Sequence, residues 1–454
     1  MTSTPTDGES PEDALARAER ALEDRVATRM VPGLPRIEDL LDLLGAPHRA
    51  YPSIHVAGTN GKTTTTRMIE ALLRELGLRT GRYTSPHLES VTERIAIDGR
   101  ALTPERFAEV YAEVAPYAEI VDKKHDEPMT YFEVLTGMAF AAFADAPVDV
   151  AVVEVGLGGT SDATNVIGAP VAVMTPVALD HMDVLGHTVE AIATDKAGIL
   201  HEGAFLVTAQ QPIDAAEAIL RRAVEVGATV AREGLEFGVL ERQHGVGGQL
   251  LTLRGLQGEY DDIMLPLHGA HQASNAAVAL AAVEAFLGAQ QALDADAVRA
   301  AFAGVTSPGR LETMRTNPTV LLDAAHNPAG AAALVDALGE AFAFSRLVGV
   351  VAVLSDKDVL GLLDALEPAL DAIVVTTNSS PRALPASELA EIAIDVFGED
   401  RVEQVDRLDE ALEAAIGLAE ADPDLIGAPG GLGVLVTGSV VTVGEARHLL
   451  RGGA

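Results

Sequence analysis

Residues 53–77 read SIHVAGTNGKTTTTRMIEALLRELG. Ile54, His55 and Val56 form a short strand-like run, and Gly58, Asn60 and Gly61 permit a sharp turn. Met68, Ile69, Leu72, Leu73 and Leu76 then fall on one face of a helix. Strand, turn and helix in that order aim free amides and a helix N-terminus at one point, where anions are stabilised. Lys62 adds an ammonium, and Thr63 a hydroxyl able to hold Mg²⁺. The segment therefore predicts a phosphate-binding loop made by Gly58, Thr59, Asn60, Gly61, Lys62 and Thr63. The usual pattern, G-x-x-x-x-G-K-[ST], asks for glycine at position 56, and Val56 stands there instead.

Outward from this loop, strand-like runs alternate with helical stretches: Ile54–Ala57, Val148–Val155, Val171–Val177 and Ala204–Ala209 are the strands expected in the first half. Such alternation favours a parallel sheet covered on both faces. Residues 11–30 and 36–45 read as amphipathic helices ahead of it, after a disordered tail over 1–10. Alternation and glycine turns around 235–267 predict a small antiparallel insertion. A helix-rich stretch (275–303) leads to AGVTSPGRLE, which reads as a linker. New β/α units follow at TVLLDAAHN, LVGVVAVLSDKD, AIVVTTNSS and GVLVTGSVVTVGEAR. Each is a buried strand running into a polar loop, where open α/β sheets put their ligands. The expected architecture is α/β, with an ATP-binding domain over 11–305, a Rossmann-like domain over 306–454, and the active site in the cleft between them.

The composition narrows the chemistry. The chain has 454 residues, no cysteine and a formal charge of −35. Without cysteine there are no disulfides or thiolate metal sites, and no secretory signal is evident, so a reducing cytoplasm is expected. So acidic a surface lacks the cations that nucleic-acid phosphates require. No apolar run approaches the roughly 20 residues of a membrane span. The lysines are Lys62, Lys123, Lys124, Lys196 and Lys357. An anionic substrate must therefore be drawn in by a few local positive groups.

GTNGKTT followed by TSPHL (84–88) resembles the Mur ligase superfamily, specifically its folylpolyglutamate synthase/dihydrofolate synthase branch. The likeness continues through MTYFEVLT (129–136), VEVGLGGTSDATN (153–165), TPVALDHMDVLG (175–186), DKAGI (195–199), HGAHQASNAAVA (268–279), SPGRLE (307–312), LDAAHNPAG (322–330) and VTGSVVTVGEAR (436–447). The wording is nearest to actinobacterial forms. The resemblance implies an ATP-dependent amide ligase. It would add L-glutamate to dihydropteroate and to reduced folates through an acyl phosphate, releasing ADP and phosphate, and would act as a monomer without nucleic-acid or membrane partners. Negative charge gathers on the transferring phosphoryl group, so metal ions and fixed cations carry most of such a reaction.

The resemblance also implies residue roles. Thr63, Ser85, Glu154 and His181 would surround Mg²⁺, with two ions per site, and Lys196 would support the second as a carbamate. Asn275, Arg310 and Asp323 would contact ATP alongside the phosphate loop. His326 and Ser439 would face the incoming glutamate. Lys62, Lys196 and His326 make up the expected catalytic set. Thr130, Tyr131, Phe132 and Glu133, with Ser161, Asp162 and Ala163, match the segments that hold the pterin. Ser161 departs from the large apolar residue usual there.

Plainer roles stand beside these. Ser85 fits a turn before Pro86, Glu154 an ion pair, His181 a core histidine, Lys196 a pair with Asp195, Tyr131 and Phe132 helix core, and Asp323 or Ser439 a helix cap. Two other functions share the loop: a ligase for a peptidoglycan precursor, and a nucleotide switch. The first normally carries a nucleotide-sugar domain ahead of the loop. The second has no use for the PGR, DAAHN and TGS loops of the second half.

Overall fold

The computed structural model describes residues 10–25, 33–421 and 431–452. The first helix, α1 (Pro11–Glu23), is capped by Ser10, whose hydroxyl accepts from the Asp13 amide at 3.1 Å. It is shorter than the expected 11–30; positions 26–30, and residues 1–9 of the expected tail, lie outside the described residues. Helix α2 (Pro35–Leu43) follows.

Eight strands form the sheet of the first half: β1 (Ser53–Ala57), β2 (Thr80–Tyr83), β3 (Ile95–Ile97), β4 (Arg100–Ala101), β5 (Val150–Glu154), β6 (Val171–Met174), β7 (Phe205–Thr208) and β8 (Thr229–Arg232). Their order is β4-β3-β2-β5-β1-β6-β7-β8. From β2 to β8 all pairs are parallel, while β3 and β4 add an antiparallel edge. Helix α3 (Lys62–Glu75) leaves the central strand β1. Around it come α4 (Pro104–Lys124), α5 (Tyr131–Asp145), α6 (Met182–Leu185), α7 (Val189–Lys196) and α8 (Ile213–Glu225). The insertion is the three-stranded antiparallel sheet β9 (Gly238–Gly245), β10 (Gly248–Arg254) and β11 (Glu259–Leu265). Helices α9 (Ala270–Phe286) and α10 (Ala295–Ala303) pack it onto the core.

The core explains Val56. This residue is fully buried, inside β1, beside Glu154 of β5 on one side and Val173 of β6 on the other. It packs in one cluster with Met68, Ile69, Leu72 and Leu73 of α3, each burial worth about 1.5–3 kcal/mol. The strand runs on past the position where the usual loop bends. The close backbone approach falls instead at Gly58, where a Cβ would sit 1.9 Å from Thr175 Oγ1 and 2.8 Å from the Thr175 carbonyl oxygen.

The second sheet has order β12-β13-β17-β14-β15-β16, from β12 (Glu312–Thr316), β13 (Thr319–Leu322), β14 (Arg346–Val351), β15 (Ala372–Val375), β16 (Val402–Gln404) and β17 (Leu432–Thr437). All pairs are parallel except the β12–β13 hairpin. Helices α11 (Pro328–Ala341), α12 (Val359–Leu366), α13 (Ala386–Phe397), α14 (Leu408–Glu420) and α15 (Val440–Gly452) cover it. The loops after β13 and β17 face the end of β1, so both halves offer strand C-termini to one cleft.

Candidate active site

Gly61, with φ +87°, ends the turn and starts α3. A Cβ here would lie 2.6 Å from Asn275 Oδ1, so the missing side chain lets α9 press Asn275 against the loop. The amides of Thr59 and Asn60 donate to the Pro176 carbonyl, at 2.9 and 3.3 Å, and the Thr59 hydroxyl donates to Ala178. Lys62 Nζ donates to the Thr59 carbonyl at 3.1 Å, folding its ammonium over the turn. Burial is the main force lowering its pKa, against the pull of Glu154 and Asp180.

A cavity opens on this turn. Gly58 to Thr64 line it together with Ser85, Glu154, Asp180, His181 and Lys196, and with Arg310, His326 and Val440 of the second half. Lys62 and Arg310 therefore share one space. The Thr63 hydroxyl donates to Glu154 at 2.9 Å, and the Ser85 amide approaches the same carboxylate at 3.3 Å. Glu154 is fully buried and makes no ion pair with any described lysine or arginine. Burial raises its pKa, opposed by Lys62 and the Thr63 hydrogen bond. Lys196, 5 % exposed, also lacks an ion pair among the described residues. Burial, helped by the like charge of Lys62, lowers its ammonium to about 7. The expected pair with Asp195 is not formed.

A second cavity shares Asn60, Gly61, Arg310 and His326 with the first and is lined further by His271, Asn275 and Asp323. Asp323 spends both oxygens on backbone amides, Leu311 at 3.0 Å and Ala325 at 2.9 Å. Leu311 has φ +44°, and this clasp fixes the bend that carries Arg310. Ser439 is buried; its hydroxyl accepts from the Val441 amide at 3.1 Å, and it does not line either cavity, whereas its neighbour Val440 lines the first. Its plainer reading as a cap is the one this geometry matches.

The pterin-segment residues lie behind the phosphate cavity rather than in it. Thr130 and Glu133 form a capping box at the start of α5, and Glu133 pairs with Arg36 at 2.9 Å. Tyr131 lies under the Arg94 guanidinium at 5.3 Å, and Phe132 faces Tyr83 at 5.9 Å between ring centres. Asp162 accepts from the Leu157 and Thr164 amides, Ala163 is buried, and Ser161 is exposed. These segments reach the cavity through Gly156 and Leu157, which line it.

Two lobes, one phosphate turn and a guanidinium facing it across a cleft narrow the possibilities sharply. The Mur ligase middle domain matches residues 56–283, and the Mur ligase glutamate ligase domain matches 309–439. A Mycobacterium tuberculosis dihydrofolate synthase/folylpolyglutamate synthase is 54% identical, over 96% of this chain and 94% of that protein. The chain belongs to the folylpolyglutamate synthase/dihydrofolate synthase family of Mur ligases. Its Bacillus subtilis relative of the same name is 32% identical over 92% of this chain and 95% of that protein. Among solved structures, M. tuberculosis folylpolyglutamate synthase complexed with ADP superposes with a TM-score of 0.93 at 54% identity, covering 97% of this chain and 99% of that one. E. coli FolC in complex with DHPP and ADP gives 0.83 at 31% identity, covering 99% of each.

For this Mur ligase, the oxygen donors suit a hard cation. Among the described residues no group of three acidic or histidine side chains is arranged to hold a metal ion by itself. Mg²⁺ needs few protein ligands when phosphates and water supply the rest. A buried, unpaired Glu154 carboxylate against the Thr63 hydroxyl fits it. His181 points its Nε2 at Lys357 Nζ, 3.4 Å away; burial holds the ring's pKa at about 4, against the pull of Asp180, so it stays neutral.

The hub of the cleft escaped the sequence reading. Asp180, on the first lobe, accepts from Lys357 Nζ at 2.6 Å and from Asn327 at 3.3 Å, with His326 Nε2 at 3.5 Å. All three partners belong to the second lobe. Burial pushes the Asp180 carboxyl up, but His326, His181 and Lys357 outweigh it and hold it well below the usual carboxylate range. In the sequence Lys357 stands out as one of five lysines, in the polar loop that ends LVGVVAVLSDKD. Of the remaining cations, Lys124 pairs with Asp39 at 2.5 Å, and Arg382 with Asp356 near the surface.

Proposed function

We propose that this Mur ligase joins L-glutamate to dihydropteroate and to reduced folates, using ATP and releasing ADP and phosphate. The observation that carries the reading is the shared cavity of Lys62 and Arg310, with Glu154, Lys196 and His326 around it. Amides at the start of α3 and the Lys62 ammonium hold the phosphates in line for attack. A carboxylate oxygen of the folate attacks the γ-phosphorus, ADP leaves, and an acyl phosphate results. The Arg310 fork meets the charge that builds on the phosphoryl oxygens from the other side. Thr63, Ser85 and Glu154 would hold Mg²⁺, with His181 near them; when bound, the ion offsets phosphate charge. The glutamate amine then attacks the acyl carbon, phosphate departs, the amine gives up a proton and an amide forms. His326, its Nδ1 hydrogen-bonded to the Ala324 carbonyl at 3.0 Å, orients the incoming group.

Lys196 adds a finer element. An uncharged amine can take up CO₂ and release a proton, giving a carbamate that would serve a second Mg²⁺. Its depressed pKa and missing ion pair favour that form. The enzyme works as a cytoplasmic monomer on this reading; among the described residues no helix is long and apolar enough to cross a membrane.

The test is phosphate release from ATP by purified protein, with product mass measured. Release is expected only when L-glutamate is present with dihydropteroate or tetrahydrofolate. Release indifferent to both co-substrates would overturn the reading.

A further inference from the structure

Arg67 lies one turn beyond Thr63 on α3, outside the phosphate cavity. Its guanidinium makes no hydrogen bond or ion pair with any described residue. That is unusual in a chain carrying 67 acidic residues. Burial, together with the like charge of Arg82, brings it down to about 10. The neighbouring acids are already engaged. Glu70 serves Arg82 at 2.5 Å and the Gly99 amide at 2.9 Å. Glu93 accepts from the Leu88, Glu89 and Ser90 amides, each at 3.0 Å.

Arg67 lines a small cavity whose other cation is Arg310. Among the described residues Arg310 too lacks an ion pair; the one hydrogen bond of its guanidinium there is a long contact of 3.4 Å to the Gly309 carbonyl. The walls are set. The Thr64 and Ser307 hydroxyls meet at 2.9 Å across the lobes, and the Gly309 amide donates to Glu312 at 2.8 Å. Thr63, Pro86, Arg310 and Val440 line both this cavity and the phosphate cavity, so the two adjoin. Glu93 is the one carboxylate lining this cavity, and its oxygens are spent on those three amides, so two guanidiniums face it and leave net positive charge for an anion. ATP phosphates already have the turn, Lys62 and the face of Arg310 that lines their cavity, which leaves Arg67 without an anion of its own. The amine that attacks the acyl phosphate must sit beside Thr63, and the carboxylate of the same amino acid must then lie one short step away.

We propose that Arg67, with Arg310 at the rim, binds a carboxylate of the incoming L-glutamate in this adjoining cavity and so aims its amine at the acyl phosphate. The inference rests on the ligase reading, so the wild-type enzyme is first required to turn over with ATP, dihydropteroate and L-glutamate; failure there strikes the function and not the role of Arg67. Dihydropteroate carries only the carboxylate that is activated, which leaves glutamate as the source of any other. With it, Arg67→Gln is expected to raise the KM for L-glutamate about ten- to hundredfold, the loss of a charge-assisted bond, while the KM values for ATP and dihydropteroate stay within about twofold. The preference for L-glutamate over its neutral amides should shrink in parallel, which a merely structural role would not cause. Arg67→Lys keeps a point charge but not the fork and should fall between; if the glutamine variant does not fold, an unchanged glutamate KM in Arg67→Lys overturns the proposal. So does a joint rise of all three KM values. Weakened inhibition by inorganic phosphate with an unchanged glutamate KM would assign the cavity to the leaving phosphate and overturn it as well.

Discussion

Asn60 of the phosphate turn and Asn327 of the second lobe exchange two amide hydrogen bonds, at 3.1 and 3.0 Å. Each side chain is both donor and acceptor to the other, so the pair closes only when the lobes meet in one register. Asn327 also caps α11 through the Gly330 amide at 2.8 Å. Asn327→Asp keeps the cap and removes the donor. Its expected effect is a fall in kcat/KM for ATP of about tenfold, from a lost hydrogen bond and a carboxylate set against Asp180. The melting temperature should drop only slightly; steady-state turnover and a thermal melt check both.

Lys357→Met tests the Asp180 hub. Removing one partner of a buried pair leaves the other uncompensated, and a cost of about 3–5 kcal/mol is expected at neutral pH. The sign with pH follows from Asp180, whose folded pKa is depressed. Its contribution is complete above the ordinary aspartate value of 3.8 and is lost as pH falls toward the folded value. The gap in stability between wild type and Lys357→Met should be widest near neutrality and narrow in acid, as read by denaturant unfolding across pH.

Lys196 should give activity an acid limb. Its ammonium titrates near 7, so the uncharged amine needed for a carbamate grows as pH rises through that value and disappears below it. Added bicarbonate should raise turnover most on the acid side, and labelled bicarbonate should give a carbamate carbon signal absent from Lys196→Ala. Full activity in Lys196→Ala, with or without bicarbonate, would contradict the role.

Val56→Gly would restore the usual loop pattern and is expected to harm the protein. It empties a filled core position and loosens β1, at a cost of roughly 2–4 kcal/mol. Chemical denaturation should show the loss, and ATP affinity should not improve.

These cases mark what could be read without coordinates. The strand, turn and helix from Ser53 announced themselves because backbone, charge and apolar period agree within one short window. The antiparallel insertion was equally plain from its alternation. Edge strands such as β4 and β16 were not, since two or three mostly exposed residues leave no period. Glu133 was expected at the pterin because its window resembles the segment that holds it. The same carboxylate closes a capping box with Thr130, and its pairing with Arg36 depends on a helix 97 residues away and was not legible. Asp180 was invisible for another reason. Its partners lie in distant motifs, and their convergence is a property of how two sheets face each other.

The most direct test of the account is a crystal structure of this protein with a non-hydrolysable ATP analogue and Mg²⁺. A triphosphate is expected between Lys62 and Arg310, with the base toward Asn275 and Asp323. A triphosphate on the turn with Arg310 directed elsewhere, or a nucleotide bound outside this cleft, would contradict it.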